Sequence, residues 1–200
     1  RPDRLDLDSP GRPDCWVALA HASVWGDHPL PLTVCVGPEA KPGQGLVAFG
    51  SNHGNEYEGP VAIKHLLREI QLADVRGRII LIPVLNPSAF LAGTRESADD
   101  GVNLNRAFVD GAGKTPALAG ITHRVAAFVR DHIWPRVHVV LDLHSGGDVA
   151  RFAPTASFHP LEDVELSRKI EDTARWFGTP LIMIYQNATP GLLPSEAERL

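Results

Sequence analysis

Two kinds of apolar pattern alternate along this chain. Short unbroken apolar runs read as buried strands, and runs with apolar residues three and four apart read as helices. Arg1 to Asp14 is polar with three prolines and reads as an extended lead-in. Cys15 to Val24 and Leu30 to Val36 predict two strands, joined by the turn-prone Trp25-Gly26-Asp27-His28-Pro29. Gly37 to Gly45 is a Pro/Gly loop, and Gly45 to Phe49 is a buried strand. The periodicity of Pro60 to Ile70 predicts a helix over about 58–72, and Arg78 to Leu85 predicts a fully buried strand. Asn86 to Thr115 is a long Gly/Asn/Asp/Arg-rich connection with little secondary structure of its own, a feature that is usually functional when ordered. Then come a helix over Pro116 to Ile133, a strand over Val137 to Leu143 and a short strand over Arg151 to Thr155. An amphipathic helix from Glu162 to Trp176, a strand from Leu181 to Tyr185 and the first turns of a helix from Pro194 complete the chain. Strands alternating with helices imply an α/β fold of three layers, α/β/α, around a mainly parallel, mixed central sheet.

Composition narrows the function classes without choosing one. At 44% hydrophobic and 22% charged over 200 residues, the chain is long enough and apolar enough for one globular α/β domain. A net charge of -5 provides no basic footprint, which argues against a nucleic-acid partner. Cys15 and Cys35 form no CxxC pair, so a cysteine metal site and a disulfide scaffold are both disfavoured, and a cytoplasmic setting is the expectation. Neither an 18-residue apolar run nor a signal-like amino terminus is seen, so no membrane association is expected.

Candidate chemistry concentrates where strands end. Gly50-Ser51-Asn52-His53-Gly54-Asn55-Glu56-Tyr57-Glu58-Gly59 links the strand at 45–49 to the following helix. The carboxyl ends of strands are where open α/β sheets bind ligands. His53 and Glu56, on one tight turn, offer an imidazole nitrogen and a carboxylate oxygen, a donor pair suited to Zn²⁺. Alone, such a pair equally reads as a helix cap and a solvated first-turn acid. His144 adds a third donor at the end of the strand Val137 to Leu143, just before Ser145-Gly146-Gly147. Asp142 shares a strand face with it and can orient its ring. The long connection supplies Arg95, Asn105 and Arg106, whose forked and amide donors suit a substrate carboxylate or a developing oxyanion. The remaining histidines (His21, His28, His65, His123, His132, His138 and His159) are assigned to no metal. A serine hydrolase lacks its Gly-x-Ser-x-Gly elbow, and no glycine-rich phosphate loop opens a helix.

Taken in order, His53-x-x-Glu56, Asn86-Pro87-x-Ala89-Phe90, Gly93-x-Arg95, Asn103-Leu104-Asn105-Arg106 and Asp142-Leu143-His144 resemble the zinc carboxypeptidase superfamily. Within it the chain is most similar to the succinylglutamate desuccinylase/aspartoacylase branch, and there to deacetylases of N-acetyl diamino acids. The resemblance implies a zinc-carboxypeptidase-like fold and one Zn²⁺ per chain, held by His53, Glu56 and His144. It implies that Arg95 steadies the transition-state oxyanion, although Arg95 is a few residues farther from Asn105-Arg106 than in aspartoacylase. It further implies that Asn105 and Arg106 hold the carboxylate of a small N-acyl amino acid. Residues 1–36 would then be the lead-in and edge strands of a domain whose catalytic part is 37–200. The family's general-base strand is expected beyond Leu200, and Glu58, Glu196 and Glu198 are not promoted to that role. A peptide-cleaving zinc carboxypeptidase and a catalytically incomplete metal-binding module are the alternatives, and assembly into a homo-oligomer is left open.

Overall fold

In the computed structural model, residues 1–20, 26–42, 44–109 and 120–199 are described. The parts of the expected elements that fall on 21–25, 43, 110–119 and Leu200, His21 among them, lie outside the described residues.

Strands β1 (Asp14–Ala20), β2 (Asp27–Val36), β3 (Gly45–Gly50) and helix α1 (Glu58–Glu69) come first, followed by β4 (Arg78–Ile82). A short helix α2 (Pro87–Ala92) and a 3₁₀ turn (Leu104–Arg106) occupy the long connection. Helix α3 (Ile121–Phe128) runs on through a π turn and a 3₁₀ turn to Arg136, followed by β5 (Val139–Leu143). Strand β6 (Thr155–Phe158), helix α4 (Val164–Trp176), strand β7 (Leu181–Ile184) and helix α5 (Leu193–Ala197) complete the order.

The main sheet has the order β1-β2-β4-β3-β5. β1-β2 and β2-β4 pair antiparallel, whereas β4-β3 and β3-β5 pair parallel. The sheet is therefore mixed, and its parallel half carries the site. Strand periodicity assigns the faces. Val47, Phe49, Ile80 and Ile82 join Ile121, Val125, Phe128 and Val129 of the α3 segment in one buried cluster. Ala48 and Leu81 pack with Ile63 of α1 in another. One helix on each face gives the expected three layers.

Two expectations need correction. The short strand expected at 151–155 forms instead at 155–158, pairing parallel with β7 in a separate two-stranded sheet. The connection after residue 86 holds a helix, and its punctuation explains why. The side chain of Asn86 accepts from the Ala89 N–H, Pro87 occupies the first turn, and Gly93 closes the helix at φ 65°.

The parallel register brings two loops together. Gly50 at the end of β3 lies opposite Leu143 at the end of β5, so the chain leaves both strands at the same edge of the sheet. Ser51 then takes φ 52°, a left-handed conformation rare outside glycine, and turns the backbone towards α1. Gly54 lies against α2 so closely that an added Cβ would sit 1.9 Å from the Ala89 carbonyl carbon. Only glycine permits that approach.

Candidate metal centre

His53 leaves the β3–α1 turn and is buried, at 2% relative exposure, while Glu56 closes the same turn at 5%. The Glu56 carboxylate points at two imidazoles. Its Oε1 lies 2.8 Å from His53 Nδ1, and its Oε2 lies 2.8 Å from His144 Nδ1. The backbone N–H of Ser145 also donates to Oε2 at 2.9 Å. These three residues are the group of metal-capable side chains among the described residues, with ligand atoms within 4.8 Å of one another.

The outward nitrogens decide how the rings are held. His144 Nε2 lies 2.8 Å from Asp142 Oδ2, and that oxygen also accepts from Asn52 Nδ2 at 3.0 Å. His53 Nε2 lies 3.3 Å from Asn103 Oδ1. With zinc bound, an N–H on Nε2 facing an outer acceptor would leave Nδ1 as the lone pair turned inward, whereas in the metal-free site Nδ1 of each ring donates to the Glu56 carboxylate. Tetrahedral zinc, about 2.0 Å from each nitrogen, needs its ligand atoms roughly 3.3 Å apart. The two Glu56–imidazole contacts at 2.8 Å would open by roughly half an ångström to reach that spacing, and the three ligand atoms already lie within 4.8 Å of one another. Two imidazoles and a carboxylate, each ring backed by an acceptor, are thus a donor set that fits one Zn²⁺.

Asn105 is buried beside His144, with its Nδ2 3.4 Å from His144 Nε2 and its Oδ1 accepting from the Leu193 N–H at 2.9 Å. The proton of His144 Nε2 goes to Asp142, so the Asn105 amide keeps a donor for another acceptor. Arg106 is exposed and donates through Nη1 to the Asn105 carbonyl at 2.6 Å. Arg95 lies at the rim, 55% exposed, with Nη1 3.4 Å from Glu56 Oε1. All seven residues singled out in the sequence therefore meet at one edge of the sheet. The glutamates set aside are engaged elsewhere. Glu196 accepts from the Gly191 N–H at 2.8 Å, Glu198 lies 2.8 Å from His159, and Glu58 is exposed at the start of α1.

Two residues escaped the sequence reading, Asn52 and Asn103. Neither is a ligand type for zinc, and nothing in their spacing marks them out. Asn52 could have been suspected only from its place beside His53, where a side chain at a sheet edge turns inward.

Electrostatics set the proton inventory. Burial works to raise the Glu56 pKa, but hydrogen bonds from His144, His53 and the Ser145 N–H outweigh it and hold the carboxyl well below the usual range. Burial likewise works to lower the His144 pKa, but the Asp142 charge and hydrogen bonds to Asp142 and Glu56 push it up to about 10. At neutral pH the metal-free His144 is therefore cationic and Glu56 is already ionised. A zinc ligand must present a lone pair, so metal uptake must release the His144 proton. Calorimetric zinc titrations at pH 7.5, in two buffers of different ionisation enthalpy, should show that proton leaving. Apparent affinity should climb with pH until it levels near 10. A pH-independent affinity would contradict this assignment.

Residues 42–200 match the succinylglutamate desuccinylase/aspartoacylase catalytic domain. The chain belongs to this family. It is 38% identical over 183 residues to N-alpha-acetyl-L-2,4-diaminobutyric acid deacetylase of Halomonas elongata, an alignment covering 88% of this chain and 50% of that enzyme. The chain thus spans about half the length of the curated relative it matches. Among solved structures, the product-bound ectoine utilization protein EutE of Ruegeria pomeroyi superposes with a TM-score of 0.84 at 31% identity, over 98% of this chain and 59% of that one. A succinylglutamate desuccinylase from Silicibacter sp. TM1040 gives 0.84 at 32% identity, over 98% of this chain and 58% of that one. The α/β layering and the mixed sheet are those of the succinylglutamate desuccinylase/aspartoacylase family. Among the described residues no helix is long and apolar enough to cross a membrane.

Proposed function

We propose that this chain carries the zinc centre and substrate clamp of a deacylase that hydrolyses the amide bond of a small N-acyl amino acid. The observation that supports it best is the convergence of His53 Nδ1, His144 Nδ1 and the Glu56 carboxylate beneath the cationic rim of Arg95. Family membership and the deacetylase relative point to the same chemistry.

His53, Glu56 and His144 would hold one Zn²⁺. When bound, it lowers the pKa of a water ligand from about 15.7 towards ~7 and polarises the scissile carbonyl. Arg95 would face the carbonyl oxygen as it gains charge. Asn105 Nδ2 and the Arg106 guanidinium would bind the α-carboxylate and set which amide reaches the centre. Both buried carboxylates here have other work, Glu56 against two imidazoles and Asp142 against one. The attacking water must therefore give its proton to a further group, which passes it to the leaving amine. The product pair is a free carboxylate and a free amine.

N-acetylated diamino acids are the substrates to try first, given the Halomonas elongata relative. The test is metal content of the full-length protein, with turnover measured on N-acetyl and N-succinyl amino acids beside dipeptides. About one zinc per chain and a preference for N-acyl amino acids are expected. Faster cleavage of dipeptides would replace this reading with a carboxypeptidase, and turnover undiminished by chelation would end the zinc assignment. Arg106→Ala should raise KM for α-carboxylate substrates while changing kcat little, the mark of lost uniform binding. Unchanged kinetic constants would remove Arg106 from the clamp.

A further inference from the structure

Asn103 stands where the metal-ligand cluster meets the substrate-binding turn. Its Oδ1 lies 3.3 Å from His53 Nε2 and accepts from the backbone N–H of Asn105 at 3.0 Å. The same residue starts the 3₁₀ turn Leu104–Arg106, and its carbonyl accepts from the Arg106 N–H at 2.9 Å. Leu104, fully buried, anchors that turn in the core. One amide oxygen therefore serves both a ring and a loop.

We propose that Asn103 is a positioning residue that ties the orientation of His53 to the conformation of the Asn105-Arg106 turn. The metal centre and the substrate clamp are then set by one side chain. The inference rests on the zinc reading above. An amide oxygen has two lone pairs: one accepts the Asn105 N–H, and with zinc on Nδ1 the other would accept the His53 Nε2–H. If the turn shifts, the acceptor leaves His53 Nε2, the ring can rotate, and Nδ1 loses its aim at the cation. If the ring shifts, the turn keeps its cap but loses the coupling. His144 is served differently, because Asp142 sits on β5 and is held by Asn52, with no part in the clamp. The two imidazoles therefore differ in their outer acceptor: that of His53 also caps the Asn105-Arg106 turn, whereas that of His144 lies on β5.

Three substitutions separate the two halves of this role. Asn103→Ala removes both contacts. Asn103→Ser keeps a short oxygen that can cap the Asn105 N–H but cannot reach the His53 ring. Asn103→Asp keeps an oxygen for each. In the full-length protein, zinc dissociation constants would be measured by chelator competition, and kcat and KM on N-acetyl-L-2,4-diaminobutyrate. Loss of an outer partner of a metal-bound imidazole weakens metal binding roughly ten- to hundred-fold. Asn103→Ala should show that loss together with a raised KM. Asn103→Ser should show the zinc loss with KM near wild type, and Asn103→Asp should restore both. Wild-type zinc affinity in Asn103→Ser, or failure of Asp to rescue, overturns the inference while leaving the zinc centre intact. A wild-type protein that binds no zinc overturns the zinc reading itself, and the inference with it. If the alanine variant does not fold, the Ser–Asp comparison still decides.

Discussion

Replacing His53 with alanine is expected to abolish zinc binding and hydrolysis together. The variant keeps Glu56 and His144, but three protein ligands are the usual minimum for a catalytic zinc. The loss goes beyond one ligand. His53 is 2% exposed, so its removal leaves a buried gap beside the Glu56 carboxylate. Glu56 Oε1 then keeps only the Arg95 contact at 3.4 Å, a poor substitute for an imidazole at 2.8 Å. A buried carboxylate that loses one of its two imidazole partners will draw water towards the exposed oxygen, although Oε2 keeps His144 and the Ser145 N–H. Metal content should fall from about one zinc per chain to none detectable, and turnover with it. Chelation of the wild-type protein should reproduce the loss of activity and be reversed by added zinc, whereas the variant should stay inactive when zinc is restored. Retention of both metal and turnover by His53→Ala would mean that these three residues do not form the centre.

The sequence reveals this site because its chemistry breaks a pattern. His53 and His144 each lie just past the end of an apolar run, where core packing has no use for them. Asp142 stands out by strand periodicity, two residues from His144 on the same face. The parallel register then does the rest, since Gly50 pairs with Leu143 and carries both loops to one edge. What stays hidden is of another kind. Strand direction is not written in apolar runs, so the antiparallel pairing of β2 with β4 is invisible until the chain is folded. Helix α2 is too short to show a period, and only Asn86, Pro87 and Gly93 announce it. β6 lies beyond the expected stretch because its pairing with β7, a tertiary contact, chooses the residues that extend. Asn52 and Asn103 reach the site through contacts to groups far away in sequence, 90 and 50 residues off, and no local signal encodes such a contact, although Asn103 also caps its own turn.

Arg95→Ala is expected to lower kcat on the order of 10²–10³-fold, the typical loss when one oxyanion donor is removed. Zinc content should be unchanged. Several features separate this residue from the ligands. Its guanidinium is 55% exposed, and an exposed ion pair contributes little to stability, about 0–1 kcal/mol. Its backbone is fixed independently of its side chain. Gly93 ends α2 in the left-handed region, the Thr94 N–H donates to the Ala89 carbonyl at 3.0 Å, and the Thr94 hydroxyl donates to the Glu96 carbonyl at 2.7 Å. Truncation at Cβ therefore leaves the loop in place and removes only the cation. A group that acts only as charge develops lowers kcat and kcat/KM equally, with KM little changed. Arg95→Lys should recover part of the rate, because the charge returns without the fork. An unchanged kcat in Arg95→Ala would take the oxyanion role away from this arginine. A loss confined to KM would move it to the carboxylate clamp beside Arg106. Loss of zinc would instead make the 3.4 Å contact with Glu56 part of what holds the metal.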